Sequence, residues 1–167
     1  MKDLVWYACY GSNLTEDRFR LYIKDAPVYG EGPFLIPHPL YFAKTSGKWE
    51  GKGIAFIDAD SEGTSYSYLY LIDEEIYDLV YEKEGSLYSR KVDLGIKDGY
   101  PIRTFTNKTR LTYNPPGQDY LDVIAYGLKK RHHLTEEEIC TYLPAESVST
   151  DEEHIRKILE RVDSYSC

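Results

Sequence analysis

The sequence predicts an α+β fold: a small mixed or antiparallel sheet, curled or closed into a barrel, with flanking helices. Three observations carry this. Thr64 to Ile72 alternates strictly, with Tyr66, Tyr68 and Tyr70 on one face and Ser65, Ser67, Leu69 and Leu71 on the other, the period of a strand. Two Thr-x-x-Glu capping boxes, Thr135–Glu138 and Thr150–Glu153, open short helices near the C-terminus. Between the ends the order reads strand, helix, several strands, helix, several strands, then helices, which suits neither a helical bundle nor an alternating β/α fold.

Taken in order, Leu4 to Tyr10 is apolar and aromatic and reads as a core strand. Gly11-Ser12-Asn13 is a turn, and Phe19, Tyr22 and Ile23 then recur at helical spacing. Pro33, Pro37 and Pro39 restrict the next stretch to a sheet edge or to entry loops, before a strand at Leu40 to Ala43. Trp49 to Gly53 reads as a loop, Ile54 to Ile57 as a short buried strand, and Asp58 to Gly63 as a turn.

A helix from Asp73 to Glu84 has Asp73 as cap, Ile76, Leu79 and Val80 as its apolar stripe, and Gly85 as its terminator. Strand character resumes over Leu87 to Leu94, and Arg103–Asn107 with Arg110–Tyr113 has the form of a hairpin. Pro115-Pro116-Gly117 precedes a helix in which Tyr120, Val123, Ile124 and Leu128 share a face, with Gly127 inside it. The chain reads as one domain over residues 1–167, with the helices of 135–167 as an appendage.

A net charge of −8 excludes the basic surface that a nucleic acid or an anionic membrane needs. No apolar run approaches the ~20 residues of a membrane span, and the run after Lys2 and Asp3 is too short for a signal peptide. Cys9, Cys140 and Cys167 are odd in number and widely spaced, which fits free thiols and a cytoplasmic location. Cys9, within the first strand, reads as a small buried hydrophobe. His132-His133 has no partner at ligand spacing, so no metal is expected. Seventeen tyrosines against five phenylalanines fit β-sheet composition, and also a core with a polar-lined cavity where their hydroxyls find partners.

Two places offer chemistry. The first is the junction from Tyr10 through Gly11, Ser12 and Asn13 to Leu14. Ser12, Asn13 and Thr15 are N-cap types, and a strand-to-helix turn leaves several backbone N–H groups aimed one way, a site for a carboxylate or an oxyanion. Gly11 can take a positive φ and admits a ligand close to the backbone. The same residues also describe an ordinary turn. The second is Glu84. At a helix C-terminus the dipole disfavours a carboxylate, so its pKa should rise, and burial would add to this. Such a group can take and return a proton near neutral pH. Glu82-Lys83-Glu84 can equally be a solvated helix end.

Tyr10-Gly11-Ser12-Asn13-Leu14 resembles the signature of the gamma-glutamylcyclotransferase family, which includes the AIG2-like proteins. Glu84-Gly85-Ser86-Leu87-Tyr88 is similar to the family's Glu-Gly followed by a Tyr, and Pro115-Pro116-Gly117-Gln118-Asp119-Tyr120 to its Pro-rich entry and Tyr-led helix. The likeness runs from the first strand to about Leu143. It implies a cofactor-independent enzyme that cyclises a small-molecule γ-glutamyl substrate to 5-oxoproline and releases an amine. Tyr10, Gly11, Ser12, Asn13 and Leu14 would hold the substrate, Glu84 would be the acid/base, and Tyr88 and Tyr120 would line the pocket. A binding module without turnover and a processing enzyme for γ-glutamyl amines are the alternatives, and a homodimer is left open. The Pro-rich segment after Val28 and the Trp49 loop resemble longer bacterial relatives, which leaves the leaving amine unassigned.

Overall fold

A computed structural model describes residues 3–84 and 88–164. Five strands, β1 (Leu4–Cys9), β2 (Gly30–Ile36), β5 (Ser65–Asp73), β6 (Arg90–Lys97) and β7 (Tyr100–Thr106), form one mixed sheet in the order β2-β5-β1-β7-β6. β1 runs antiparallel to β5 and parallel to β7. A second, two-stranded sheet pairs β3 (Leu40–Ser46) with β4 (Lys52–Ile57). The α+β class and the mixed sheet are as read from the sequence. No closed barrel forms among the described residues, because the backbone ladders of the two sheets do not join.

The helices are α1 (Glu16–Ile23), α2 (Glu74–Glu84), α3 (Gln118–His132), α4 (Glu136–Tyr142) and α5 (Glu152–Ser164). A 3-10 turn at Ser12–Leu14 precedes α1, and another at Gly47–Trp49 precedes β4. None of these helices is long and apolar enough to cross a membrane.

β5 keeps its alternation but is covered on both faces: Tyr70 and Leu69 are both buried, as are Ser65 and Ser67. β2 takes the edge position that suits Pro33, since proline has no N–H to donate to a ladder. Of the predicted α2 stripe, Val80 is buried and Ile76 packs half-buried against the core, but Leu79 is exposed and Tyr77 takes its place on the buried face. Glu84 follows Tyr77 by seven residues and Val80 by four, so the same face carries it inward.

The expected hairpin is displaced. β7 pairs with β6 across Asp98-Gly99, both at positive φ (53° and 84°), the turn chemistry that Asp-Gly supplies. Arg110–Tyr113 forms no strand; Tyr113 makes one bridge to Ala43, while Arg110 pairs with Asp58 at 2.9 Å and stacks on Tyr41. Gly85 and Leu87 lie outside the described residues, and the strand resumes at Arg90.

The Thr135 capping box forms as read, with both reciprocal hydrogen bonds. At α5 the cap is Asp151 instead of Thr150: its Oδ2 accepts from the His154 N–H at 3.1 Å. His154 Nε2 lies 2.8 Å from Oδ2 of buried Asp122, tying α5 to α3. Ile155, Ile158, Leu159 and Val162 of α5 join the same apolar core as the sheet.

α3 crosses directly over the turn at Ser12–Leu14. A Cβ on Gly127 would lie 2.6 Å from Leu14 Cβ, 2.7 Å from Leu14 C and 2.9 Å from Thr15 N. Two of those atoms are backbone, so the helix can approach the turn only at a glycine. In Gly127→Ala the helix propensity gain of about 0.8–1 kcal/mol is outweighed by overpacking of about 1–3 kcal/mol or more. The variant should unfold at lower urea concentration than the parent; an unchanged or higher midpoint would show that the contact yields.

Candidate active site

The strand-to-turn junction opens into a cavity of about 290 Å³, near the lower end of the roughly 300–1,000 Å³ typical of small-molecule sites. Tyr10, Gly11, Ser12, Asn13, Glu84, Tyr88 and Tyr120 all line it. They come from the end of β1, the 3-10 turn, the end of α2, the segment before β6 and the first turn of α3. Leu14 does not line it: its side chain is fully buried beneath α3, against Gly127.

Gly11 has φ −114°, so its value is not a positive φ. What it supplies is room. A Cβ there would stand 3.2 Å from the Tyr120 hydroxyl and 3.4 Å from Ala55 Cβ. As the first residues of a 3-10 turn, Ser12 and Asn13 present N–H groups that intrahelical bonding cannot reach. Asn13 is buried, its Nδ2 donating to the Tyr7 hydroxyl at 3.1 Å, and its Oδ1 has no partner.

Tyr88 and Tyr120 meet on the backbone of one residue, Ala55. The Tyr88 hydroxyl donates to the Ala55 carbonyl at 2.8 Å, and the Tyr120 hydroxyl accepts from the Ala55 N–H at 2.9 Å. Thr106 adds a bond from its hydroxyl to the Ile57 carbonyl at 2.6 Å. Side chains thereby attach β4 to the larger sheet where no ladder does. The Tyr10 hydroxyl similarly donates to the Phe105 carbonyl at 2.7 Å. Burial pushes the Tyr10 and Tyr88 phenols well above their ordinary range, so both stay neutral.

Glu84 is partly exposed as a residue, with its carboxyl turned into the cavity. Burial raises its pKa; nearby Arg18, a hydrogen bond from the Tyr22 hydroxyl and then Lys48 oppose that rise. Arg18 Nη2 donates to the same Tyr22 hydroxyl at 2.8 Å. A guanidinium, a phenol and a carboxylate therefore stand in series. The helix-end position of Glu84 was foreseen, whereas desolvation is the larger cause of the shift.

Sequence reasoning did not single out Arg18, Lys48, Lys83 and Trp49 as lining residues. The Arg18–Tyr22 spacing of four on the buried face of α1 was the available signal. For Trp49, read as part of a loop, burial against Tyr120 at a ring separation of 4.8 Å becomes visible only in three dimensions. Cys9 is buried, its thiol pushed up to about 12 by burial and bonded to the Tyr68 carbonyl, which removes it as a nucleophile. His132 bonds the Ser67 carbonyl at 2.7 Å.

No protein-family model and no curated protein sequence matches the chain. Solved structures do. A gamma-glutamyl cyclotransferase superposes with a TM-score of 0.70 at 22% identity, over 95% of this chain and 99% of its own. An uncharacterised protein from Homo sapiens gives 0.68 at 22% identity, again over 95% and 99%. YkqA from Bacillus subtilis gives 0.56 at 20% identity, covering 98% of this chain but 55% of the longer one. The chain has the gamma-glutamyl cyclotransferase fold.

Each of the Ala55 hydrogen bonds should be measurable on its own. Tyr88→Phe leaves the Ala55 carbonyl buried without its donor, and Tyr120→Phe leaves the N–H without its acceptor. Each should cost about 1–3 kcal/mol, read from urea unfolding. A loss under about 0.5 kcal/mol, within the range of ordinary surface substitutions, would show that these hydroxyls do not hold β4.

Proposed function

We propose that the protein cyclises a γ-glutamyl group to 5-oxoproline and releases a free amine. The observation that carries this is the convergence of Glu84 with the Gly11–Asn13 turn in one small cavity, although some seventy residues separate them in the chain. The gamma-glutamyl cyclotransferase fold supports the same reading.

A γ-glutamyl amide holds its own nucleophile, the α-amine, so no serine or cysteine nucleophile is needed. The cavity must fold the substrate until that nitrogen faces the γ-carbonyl, which is chiefly an effect of orientation. N–H groups of the Ser12–Asn13 turn take the α-carboxylate or the carbonyl oxygen, and Tyr10, Tyr88 and Tyr120 form walls that exclude water. Leu14, beneath α3, supports the turn from behind. Glu84 is the catalytic residue. Its carboxylate removes a proton from the α-ammonium, and the freed nitrogen adds to the γ-carbonyl carbon. Glu84 hands that proton to the departing nitrogen as the tetrahedral centre collapses and the C–N bond breaks, and the second proton still held by the ring nitrogen passes through Glu84 to the released amine, leaving a neutral lactam N–H and an ammonium product. Water is neither consumed nor released.

Glu84→Gln keeps the size of the side chain and removes proton exchange. It should fold, bind a γ-glutamyl ligand and lose roughly 10²–10⁴-fold in 5-oxoproline release. The parent's activity should fall as pH drops through the Glu84 pKa, which burial raises from its ordinary value, and residual activity in Glu84→Gln should lack that limb. Stability should move in the opposite sense. A carboxyl whose pKa is raised on folding favours the folded state below its unfolded pKa, about 4.3, and that contribution disappears as pH rises through the folded value. Glu84→Gln should therefore gain stability relative to the parent as pH rises across this window. Equal turnover by the two proteins would sink the mechanism.

A further inference from the structure

Among the described residues five tyrosines line the cavity, and each neutral phenol has one proton to donate. Tyr10 gives its proton to the Phe105 carbonyl at 2.7 Å, and Tyr88 to the Ala55 carbonyl at 2.8 Å. Tyr22 donates to Glu84 while accepting from Arg18. Tyr120 and Tyr7 only accept, Tyr120 from the Ala55 N–H and Tyr7 from Asn13 Nδ2 at 3.1 Å. Neither has an acceptor for its own proton among the described residues. The Tyr120 oxygen stands against the backbone of the turn, 3.2 Å from where a Cβ on Gly11 would lie.

Tyr7 is the informative member. It is buried in β1, and its ring stacks on Phe19 at 5.6 Å and on Phe105 at 5.5 Å, which fixes the direction of the hydroxyl. Burial pushes the phenol well above its ordinary range, and Glu84 is among the charges that add to the rise, so Tyr7 keeps its proton. The Asn13 amide already donates to the phenol oxygen, and that bond polarises the O–H as a donor. Tyr7, Asn13 and Glu84 line the same cavity. A buried donor without an acceptor is costly unless a ligand supplies one. The acceptor that gains charge during aminolysis is the γ-carbonyl oxygen, and a fixed neutral donor in a nearly dry site binds it more strongly as that charge develops.

We infer that the Tyr7 hydroxyl donates a hydrogen bond to the γ-carbonyl oxygen and to the oxyanion formed when the α-nitrogen adds. This rests on the γ-glutamyl reading above and makes Tyr7 a second catalytic residue beside Glu84. It leaves the N–H groups of the Ser12–Asn13 turn to the α-carboxylate. Tyr7 transfers no proton: the electron pair on the oxyanion re-forms the C=O bond as the C–N bond breaks, and the proton movements stay with Glu84.

The test compares γ-glutamylalanine with its thioamide, in which sulfur, a poor hydrogen-bond acceptor, replaces the γ-carbonyl oxygen; alanine release is read for both. Tyr7→Phe keeps the ring and should lose about 10²–10³-fold in kcat on the oxygen compound. Its affinity for that compound, titrated calorimetrically in Glu84→Gln with and without Tyr7→Phe, should move by less than about threefold. The parent's preference for oxygen over sulfur should shrink by about tenfold or more in Tyr7→Phe. A tyrosine that merely supported Asn13 would weaken binding and slow both compounds alike. That result, or a kcat within about threefold of the parent, overturns the assignment and leaves the γ-glutamyl reading standing. Circular dichroism checks the fold. Should Tyr7→Phe not fold, 3-fluorotyrosine at position 7 decides, since it keeps the ring and hydroxyl and is the stronger donor. It should widen the preference for oxygen, and an unchanged preference overturns the assignment. A parent protein that turns over neither compound overturns both readings.

Discussion

The structure depends on the backbone N–H and carbonyl of Ala55. Both point away from β3, toward space that a continuous sheet would fill with another strand. Two tyrosine hydroxyls, from α3 and from the segment before β6, take both groups instead. The two sheets can then face each other without sharing a ladder, and the gap kept between them is the cavity. A closed barrel would satisfy the same groups with backbone and fill that space. Tyrosine suits the task because one ring supplies apolar wall and its hydroxyl reaches across to a main-chain atom. The same device recurs where Tyr41 accepts from the Leu111 N–H and Tyr142 from the Tyr66 N–H. The tyrosine-rich composition therefore has a structural use beyond strand propensity.

Within the cavity, electrostatics oppose one another around Glu84. Desolvation favours the protonated carboxyl, while Arg18, Tyr22 and Lys48 favour the anion. The balance leaves a raised pKa, the condition under which one carboxyl can both accept and return a proton. Without the cations, burial would raise the carboxyl further. Without burial, the cations would hold it as a weakly basic carboxylate. Arg18 reaches Glu84 through Tyr22, so α1 contributes to the properties of a residue on α2, and both helices must keep their places for the site to work.

Legibility in the sequence followed the range of the interactions. The Gly11–Asn13 turn, the Glu84 helix end, the β5 alternation and the Thr135 capping box are local, and each was readable. The β6–β7 hairpin was also local, and Asp98-Gly99 marked it, but Arg103–Asn107 was paired with the wrong partner. Leu14 belonged to the recognisable motif and yet packs under Gly127, because the motif is partly a core element and partly cavity lining. Arg18, Lys48 and Trp49 were not legible. Arg18 looks like one charge among several on a polar helix, and Trp49 like part of a Gly- and Lys-rich loop. The Arg18–Tyr22 spacing of four hints at a pair, but only the distant partners Glu84 and Tyr120 give these residues meaning, and spacing along the chain does not encode those contacts.

The central claim is that the reacting nitrogen belongs to the substrate and that the protein supplies orientation and one proton carrier. Running the reaction on γ-glutamylalanine in ¹⁸O-enriched water, with products resolved by mass spectrometry, tests this most directly. Intramolecular aminolysis forms the lactam without water, so the account predicts 5-oxoproline carrying no solvent oxygen, together with free alanine. Glutamate carrying one ¹⁸O would show that the cavity admits water to the carbonyl and acts as a hydrolase, and it would contradict the account.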